Sequence, residues 1–221
     1  MNAVIKEQYE AQGYALVSGL IPLEVIERGE EAMWRAVEAD PRDPTTWTKA
    51  RPFAQTLEEP ALAACYTPEL LAMAAMLAED DPVIFTAPTH VLALNVFPDP
   101  AAEWKMPHPH IDHAIKEHGH FTFPRAFRIA TMLYLNDVPV HGGGTVVWPG
   151  SHRKIEALAK SDPVKYALMY DLNRDLALAG IGEPLELTPK RGDVLFYHYL
   201  LAHAGSGNVS DRPRFAMNRK W

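Results

Sequence analysis

The sequence predicts a mainly β domain with flanking helices, an α+β arrangement, and three observations carry that expectation. From about residue 83 onward, short strand-like runs are broken by Pro, Gly, Asn and Asp, as in a double-sheet β-domain. Upstream of that point the apolar residues follow helical spacing instead. Finally, a His-x-Asp pair, His110-Ile111-Asp112, is answered much later by His203 where a strand pattern ends, so the fold must bring two distant strands together.

The first third is predicted to supply helical support over about residues 1–82, with a β core over about 83–221, the whole forming one domain. Pro22 to Ala39 places Val25, Ile26, Met33, Trp34 and Val37 at spacings that share one helical side, and Pro41 and Pro44 are expected to end the helix. A second helix is predicted over Pro68 to Ala78, with proline near its start and strong helix formers behind it. Its methionines read as core filler. Strands are expected at Val91–Phe97, Arg128–Leu135, Thr145–Trp148, Leu185–Leu187, Val194–Tyr197 and Phe215–Arg219. The alanine- and leucine-rich stretch from Ile155 to Leu178 interrupts them as a helical insertion beside the sheets. No internal repeat or low-complexity linker is visible.

Composition narrows the function. The formal net charge of −7 and the scattered basic residues give no electrostatic reason to expect a nucleic-acid partner. A single cysteine, Cys65, excludes an intramolecular disulfide and cysteine-rich zinc sites, which fits a reducing cytoplasm. The first residues lack the basic and apolar regions of a signal peptide, and no apolar run reaches bilayer-spanning length, so a cytoplasmic protein without a membrane partner is expected. Oligomeric state is not legible in the chain.

His110, Asp112 and His203 form the ligand set of a 2-His-1-carboxylate facial triad, which holds one face of a ferrous ion and leaves the other open. Separated by one residue, His110 and Asp112 leave the same face of a strand while Ile111 points away. Arg214 follows His203 at the start of the last predicted strand, where it can enter the same cavity. A guanidinium makes two parallel hydrogen bonds to a carboxylate, which suits a dicarboxylate co-substrate held at its far end. Arg212 competes for that role, although its neighbour Pro213 suggests a turn.

These residues have company. Gly13-Tyr14-Ala15-Leu16-Val17-Ser18-Gly19-Leu20-Ile21-Pro22, His110-Ile111-Asp112, Gly142-Gly143-Gly144-Thr145, Pro149-Gly150-Ser151-His152, Gly192-Asp193 and His203-Ala204-Gly205-Ser206-Gly207-Asn208 with Arg214 stand in an order that resembles the phytanoyl-CoA dioxygenase family of iron(II)/2-oxoglutarate oxygenases. The resemblance implies a double-stranded β-helix, a jelly-roll-like barrel with helices supporting one sheet. It implies Fe(II) at His110, Asp112 and His203, 2-oxoglutarate anchored by Arg214, and O2 as oxidant. On the strand after the first two ligands it points to Ala130-Thr131-Met132 for co-substrate contact, where Thr131 can donate a hydrogen bond and Met132 can only pack. The implied reaction is decarboxylation of 2-oxoglutarate to succinate and carbon dioxide coupled to hydroxylation of an unactivated C–H bond in a small metabolite. Desaturation, cyclisation and epimerisation use the same cofactors. Related halogenases replace the carboxylate ligand by a small residue, and Asp112 disfavours that chemistry.

Other readings compete. A non-catalytic jelly-roll protein holding a metal or ligand would have no use for Arg214, and neither would a zinc hydrolase with the same ligand types. His108 has no aspartate two positions on. His113, His118 and His120 read as loop or supporting residues, His152 as a turn residue holding a connection between strands, and His90, His141 and His198 as packed or surface histidines. Gly142-Gly143-Gly144 lacks the lysine and helix of a phosphate-binding loop and reads as a tight connection. Phe121, Phe123, Arg125, Arg128, Trp47 and Lys49 are candidate lid residues, with packing at the barrel edge as the equal alternative.

Overall fold

The computed structural model describes residues 2–47 and 53–221; Lys49 lies outside them. The chain opens with helix α1 (Asn2–Gln12) and turns at Gly13 into strand β1 (Tyr14–Val17). Gly13 sits at φ +81°, and a Cβ there would run into the imidazole of His152, so backbone angle and close approach both call for glycine. Helix α2 (Leu23–Ala36) follows Pro22, whose carbonyl accepts the N–H groups of Val25 and Ile26. It stops earlier than its prolines predict, because Glu38 adopts a left-handed conformation at φ +53° just past the cap residue Val37.

Strand β2 (Ala54–Leu57) and helix α3 (Pro60–Ala63) come next, then helix α4 (Pro68–Ala78). The Thr67 hydroxyl accepts the Leu70 N–H at 3.2 Å and donates to the Leu20 carbonyl at 2.8 Å, which caps α4 and ties it to the end of the β1 connection. The sequence reading missed α1, β2 and α3. Only Tyr9 is buried in α1, and β2 alternates between exposed and half-buried positions, so neither carries a strong apolar period.

The remaining elements are β3 (Val91–Val96), β4 (Ala130–Tyr134), β5 (Thr145–Val147), α5 (Ser151–Ser161), α6 (Met169–Arg174), β6 (Leu185–Glu186), β7 (Val194–Tyr197), β8 (His203–Gly205) and β9 (Arg214–Lys220). Each predicted strand is present: Val194–Tyr197 as expected, the last strand longer by one residue at each end and the others shorter by one to three residues, and the helical insertion begins at Ser151 rather than Ile155. One antiparallel sheet runs β1-β7-β4-β9-β3-β2 and a smaller one β6-β5-β8.

The two sheets share a core. Ala130, Met132 and Tyr134 of β4 cluster with Val146 of β5 and Ala204 of β8. Leu133 of β4, by contrast, packs with Ile26 and Met33 of α2 and Leu70 of α4. The large sheet is therefore covered on one face by the small sheet and on the other by helices, the layout of a double-stranded β-helix. Because β4 is buried on both faces, its sequence is nearly uninterrupted in apolar residues and hides which side chains face the barrel. Among the described residues, no helix is long and apolar enough to cross a membrane.

Candidate metal centre

His110 and His203 exchange two backbone hydrogen bonds, His110 N–H to His203 C=O at 2.9 Å and His203 N–H to His110 C=O at 3.0 Å. This isolated bridge adds His110 to the edge of β8. The sequence reading put His110-Ile111-Asp112 on a strand; the structure has only the bridge, because His113 turns the chain at φ +61° directly after Asp112. Ile111, fully buried, anchors the segment in the core, and its N–H donates to the Asn173 side chain of α6 at 2.8 Å.

His203 is held from the β5 side of its own sheet. The Ser151 hydroxyl accepts the Ala202 N–H at 2.9 Å, and the Trp148 N–H reaches the Ala202 carbonyl at 3.0 Å. The Pro-Gly-Ser-His turn thus fixes the residue before the candidate ligand. His152 itself does not join strands as expected; it lies in the first turn of α5 and reaches the Glu10 carbonyl, tying α5 to α1.

One nitrogen or oxygen from each of His110, Asp112 and His203 falls within 4.8 Å of the others, and among the described residues this is the only such group of three. The Nε2 of His203 lies 3.6 Å from Asp112 Oδ2, and the Nε2 of His110 lies 3.9 Å from Asp112 Oδ1. His203 Nδ1 sits 2.9 Å from the Leu201 carbonyl, which assigns the proton to Nδ1 and leaves the Nε2 lone pair facing the cluster. Burial and the neighbouring His203 push His110 down to about 4, so its imidazole is neutral at physiological pH. For Asp112 burial acts upward, but His203, Lys220 and His110 outweigh it and hold the carboxyl below its ordinary range. Two imidazoles and a carboxylate converge, the donor set that suits a divalent transition metal.

Asp112 is oriented by residues the sequence reading did not single out. Tyr197 on β7 donates its hydroxyl proton to Asp112 Oδ2 at 3.0 Å and accepts from Asn218 Nδ2 on β9 at 2.9 Å. Burial, then the Asp112 charge, raise Tyr197 well above the usual phenol range, so it remains an O–H donor. Lys220, also on β9, approaches Asp112 Oδ1 at 3.2 Å.

Arg214 is 2% exposed, and no ion pair or hydrogen bond reaches its guanidinium from any described residue. A buried charge without a partner is costly, so an orphan of this kind marks a place for an anion. Asn136 positions it, donating to the Pro213 carbonyl at 2.6 Å and accepting the Phe215 N–H at 2.9 Å. Tyr134 lies close enough to feel the Arg214 charge, and its hydroxyl is 2.7 Å from Thr145 Oγ1 across the two sheets. Arg212 is exposed in the turn before β9, and its carbonyl accepts from Asn208, so it is Arg214 that enters the barrel.

Met132 faces the barrel with Tyr134. Alternation along β4 puts Thr131 on the opposite face with Leu133, toward the helices, where its hydroxyl is buried without a partner. The hydroxyls that lie on the barrel side near Arg214 are those of Tyr134 and Thr145. Three of the candidate lid residues lie elsewhere: Arg125 and Arg128 both pair with Asp80 beyond α4, and Trp47 packs on Trp34 of α2. The wall beside the triad is built instead by the segment from His113 to His120, with Asn173 and Lys220, around a cavity of about 490 Å³.

The chain matches the phytanoyl-CoA dioxygenase (PhyH) family over residues 9–216. No curated protein matches it by sequence. Among solved structures it is similar to EctD from S. alaskensis, determined with 2-oxoglutarate and 5-hydroxyectoine, at 18% identity and a TM-score of 0.65 over 99% of this chain and 74% of that one. The non-heme alpha ketoglutarate dependent carbocyclase SnoK from nogalamycin biosynthesis aligns at 20% identity and a TM-score of 0.63, over 97% of this chain and 81% of that one. The epimerase SnoN of the same biosynthesis aligns at 17% identity and a TM-score of 0.58, over 98% and 80%.

Proposed function

The chain belongs to the phytanoyl-CoA dioxygenase family, and on that premise we propose that it is an iron(II)- and 2-oxoglutarate-dependent oxygenase that hydroxylates an unactivated C–H bond of a small metabolite. The observation that carries the reading is the pairing of the His110, Asp112 and His203 cluster with a buried, unpaired Arg214 in one barrel. A structural metal site or a hydrolytic zinc site needs the first and has no use for the second.

When bound, iron(II) and 2-oxoglutarate supply an oxidation in which O2, the diacid and a C–H bond become succinate, carbon dioxide and a C–OH group. The residues of this chain do the positioning. His110 and His203 would hold the ion through their imidazole nitrogens, together with Asp112, which is kept ionised by its neighbours and aimed by Tyr197. Arg214 takes the distal carboxylate of 2-oxoglutarate, with the hydroxyls of Tyr134 and Thr145 within the same group. Retention of Asp112 keeps all three protein ligands, which argues against a halide in that position.

A second reading keeps both cofactors and ends in cyclisation, desaturation or epimerisation; similarity to SnoK and SnoN supports it, and the ligand residues are common to every outcome. The test is anaerobic titration of the iron(II)-loaded protein with 2-oxoglutarate, followed through the weak visible charge-transfer band of the chelate. A saturable band is expected. Bound iron without a band would overturn the oxygenase reading in favour of a metal-binding protein or a hydrolase.

A further inference from the structure

From the cavity beside the triad we infer that the primary substrate is an anion, a small molecule whose carboxylate or phosphate is held by Lys220. The inference rests on the iron and 2-oxoglutarate reading above and extends it to the substrate class.

Strand β9 presents Arg214, Ala216, Asn218 and Lys220 to one face by simple alternation. Arg214 stands at the strand's first position and Lys220 at its last, their Cα atoms roughly 20 Å apart at about 3.3 Å per residue. The two cations thus enter at opposite ends of the strand, and Lys220 lines the cavity of about 490 Å³ beside Asp112 whereas Arg214 does not. That volume lies within the usual range for small-molecule sites.

Charge counting then singles out Lys220. A ferrous ion and Arg214 together balance Asp112 and the two carboxylates of 2-oxoglutarate. Asp112 is the only acidic residue on the cavity wall. Lys220 is therefore the surplus positive charge of the loaded site. Its ammonium has three donors, of which Asp112 takes one at 3.2 Å. The rest of the wall adds polarity without negative charge: Asn173, and the imidazoles of His113, His118 and His120, whose rings stand in a chain with centroids 4.5 Å and 5.8 Å apart. Ile111, Ala114 and Ile115 provide apolar surface beside them, suited to a hydrocarbon body attached to the anionic group. No second metal cluster is formed by the three histidines among the described residues, so they serve as hydrogen-bonding groups or contact surface.

The test is calorimetric titration of the protein loaded with manganese(II) and 2-oxoglutarate, which is redox-inert, against three- to six-carbon carboxylic acids with their primary amides and phosphate monoesters with their parent alcohols. At least one acid or phosphate is expected to bind about tenfold or more tighter than its neutral partner, as a charge-assisted hydrogen bond implies. Lys220→Met is expected to erase that preference and Lys220→Arg to keep it. If Lys220→Met does not fold, the acid-against-amide comparison on the wild-type protein and Lys220→Arg still decides. Equal binding of charged and neutral partners, no binding by any member of either series, or a preference that survives in Lys220→Met overturns the inference. Loss of 2-oxoglutarate affinity in Lys220→Met also overturns it, by assigning the lysine to the co-substrate. Failure of wild-type protein to bind 2-oxoglutarate at all would instead strike the oxygenase reading, and repeating the two series on manganese-loaded protein alone separates that failure from this one.

Discussion

The hydroxyl of Tyr197 donates to Asp112 Oδ2 at 3.0 Å while accepting from Asn218, so a strand of the large sheet dictates how a carboxylate on the opposite loop is turned. Outer-shell bonds of this kind orient metal ligands, and their removal commonly costs about ten- to a hundredfold in metal affinity. Tyr197→Phe keeps the packed ring and deletes the bond. Competition against a chelator is expected to show iron(II) bound about tenfold more weakly, with the fold intact by circular dichroism; unchanged affinity would remove Tyr197 from the positioning of Asp112.

Arg214→Met separates stability from binding. The guanidinium is buried without a partner, and methionine fills similar space without the desolvation cost. The variant's melting temperature without ligands should equal or exceed that of the wild type. Its affinity for 2-oxoglutarate should fall about a hundredfold, ~3 kcal/mol, as loss of a bidentate charged contact implies. Retained affinity would mean that another group anchors the diacid.

Gly144 precedes β5, and a Cβ there would be driven into the carbonyl oxygen of Leu187, backbone that cannot swing aside. Gly144→Ala is expected to cost about 2–4 kcal/mol in urea unfolding through forced separation of the two chains. A change below about 0.5 kcal/mol would show that the connection gives way easily.

Burial, then the neighbouring His152 and Arg125, lower His198 to about 3 from an ordinary 6.5. Its Nδ1 accepts the Leu200 N–H at 3.2 Å, a bond that requires the neutral ring. The folded state thus refuses a proton that the unfolded state takes up below pH 6.5, so stability is fully present above that value and falls as the pH drops toward 3. Between pH 6.5 and 5 the loss attributable to this residue is at most about 2 kcal/mol. His198→Gln should flatten that part of the pH–stability curve, read by urea unfolding at matched ionic strength; an unchanged slope would assign the acid sensitivity to other groups.

The sequence by itself determined what depends on residue type and short spacing: the His-x-Asp pair, the distant histidine, the late arginine, the helices over α2 and α4, and the strands that carry branched and aromatic residues. Their order along the chain was enough to name a family and a metal-binding chemistry. What only the tertiary structure decided is which side chains from separate strands meet. Tyr197 and Lys220 reach Asp112, and Asn218 reaches Tyr197, because β7 and β9 flank the barrel interior beside it, and nothing in their local sequence distinguishes them from packing residues. Asn136 holds the start of β9 through two hydrogen bonds across a long loop in sequence. That Thr131 faces the helices while Tyr134 faces the barrel was hidden for a related reason: β4 is buried on both faces, so it lacks the polar alternation that would reveal which residues point inward. Facing is a property of the pleat and the register, both fixed only when the sheets close around a shared core.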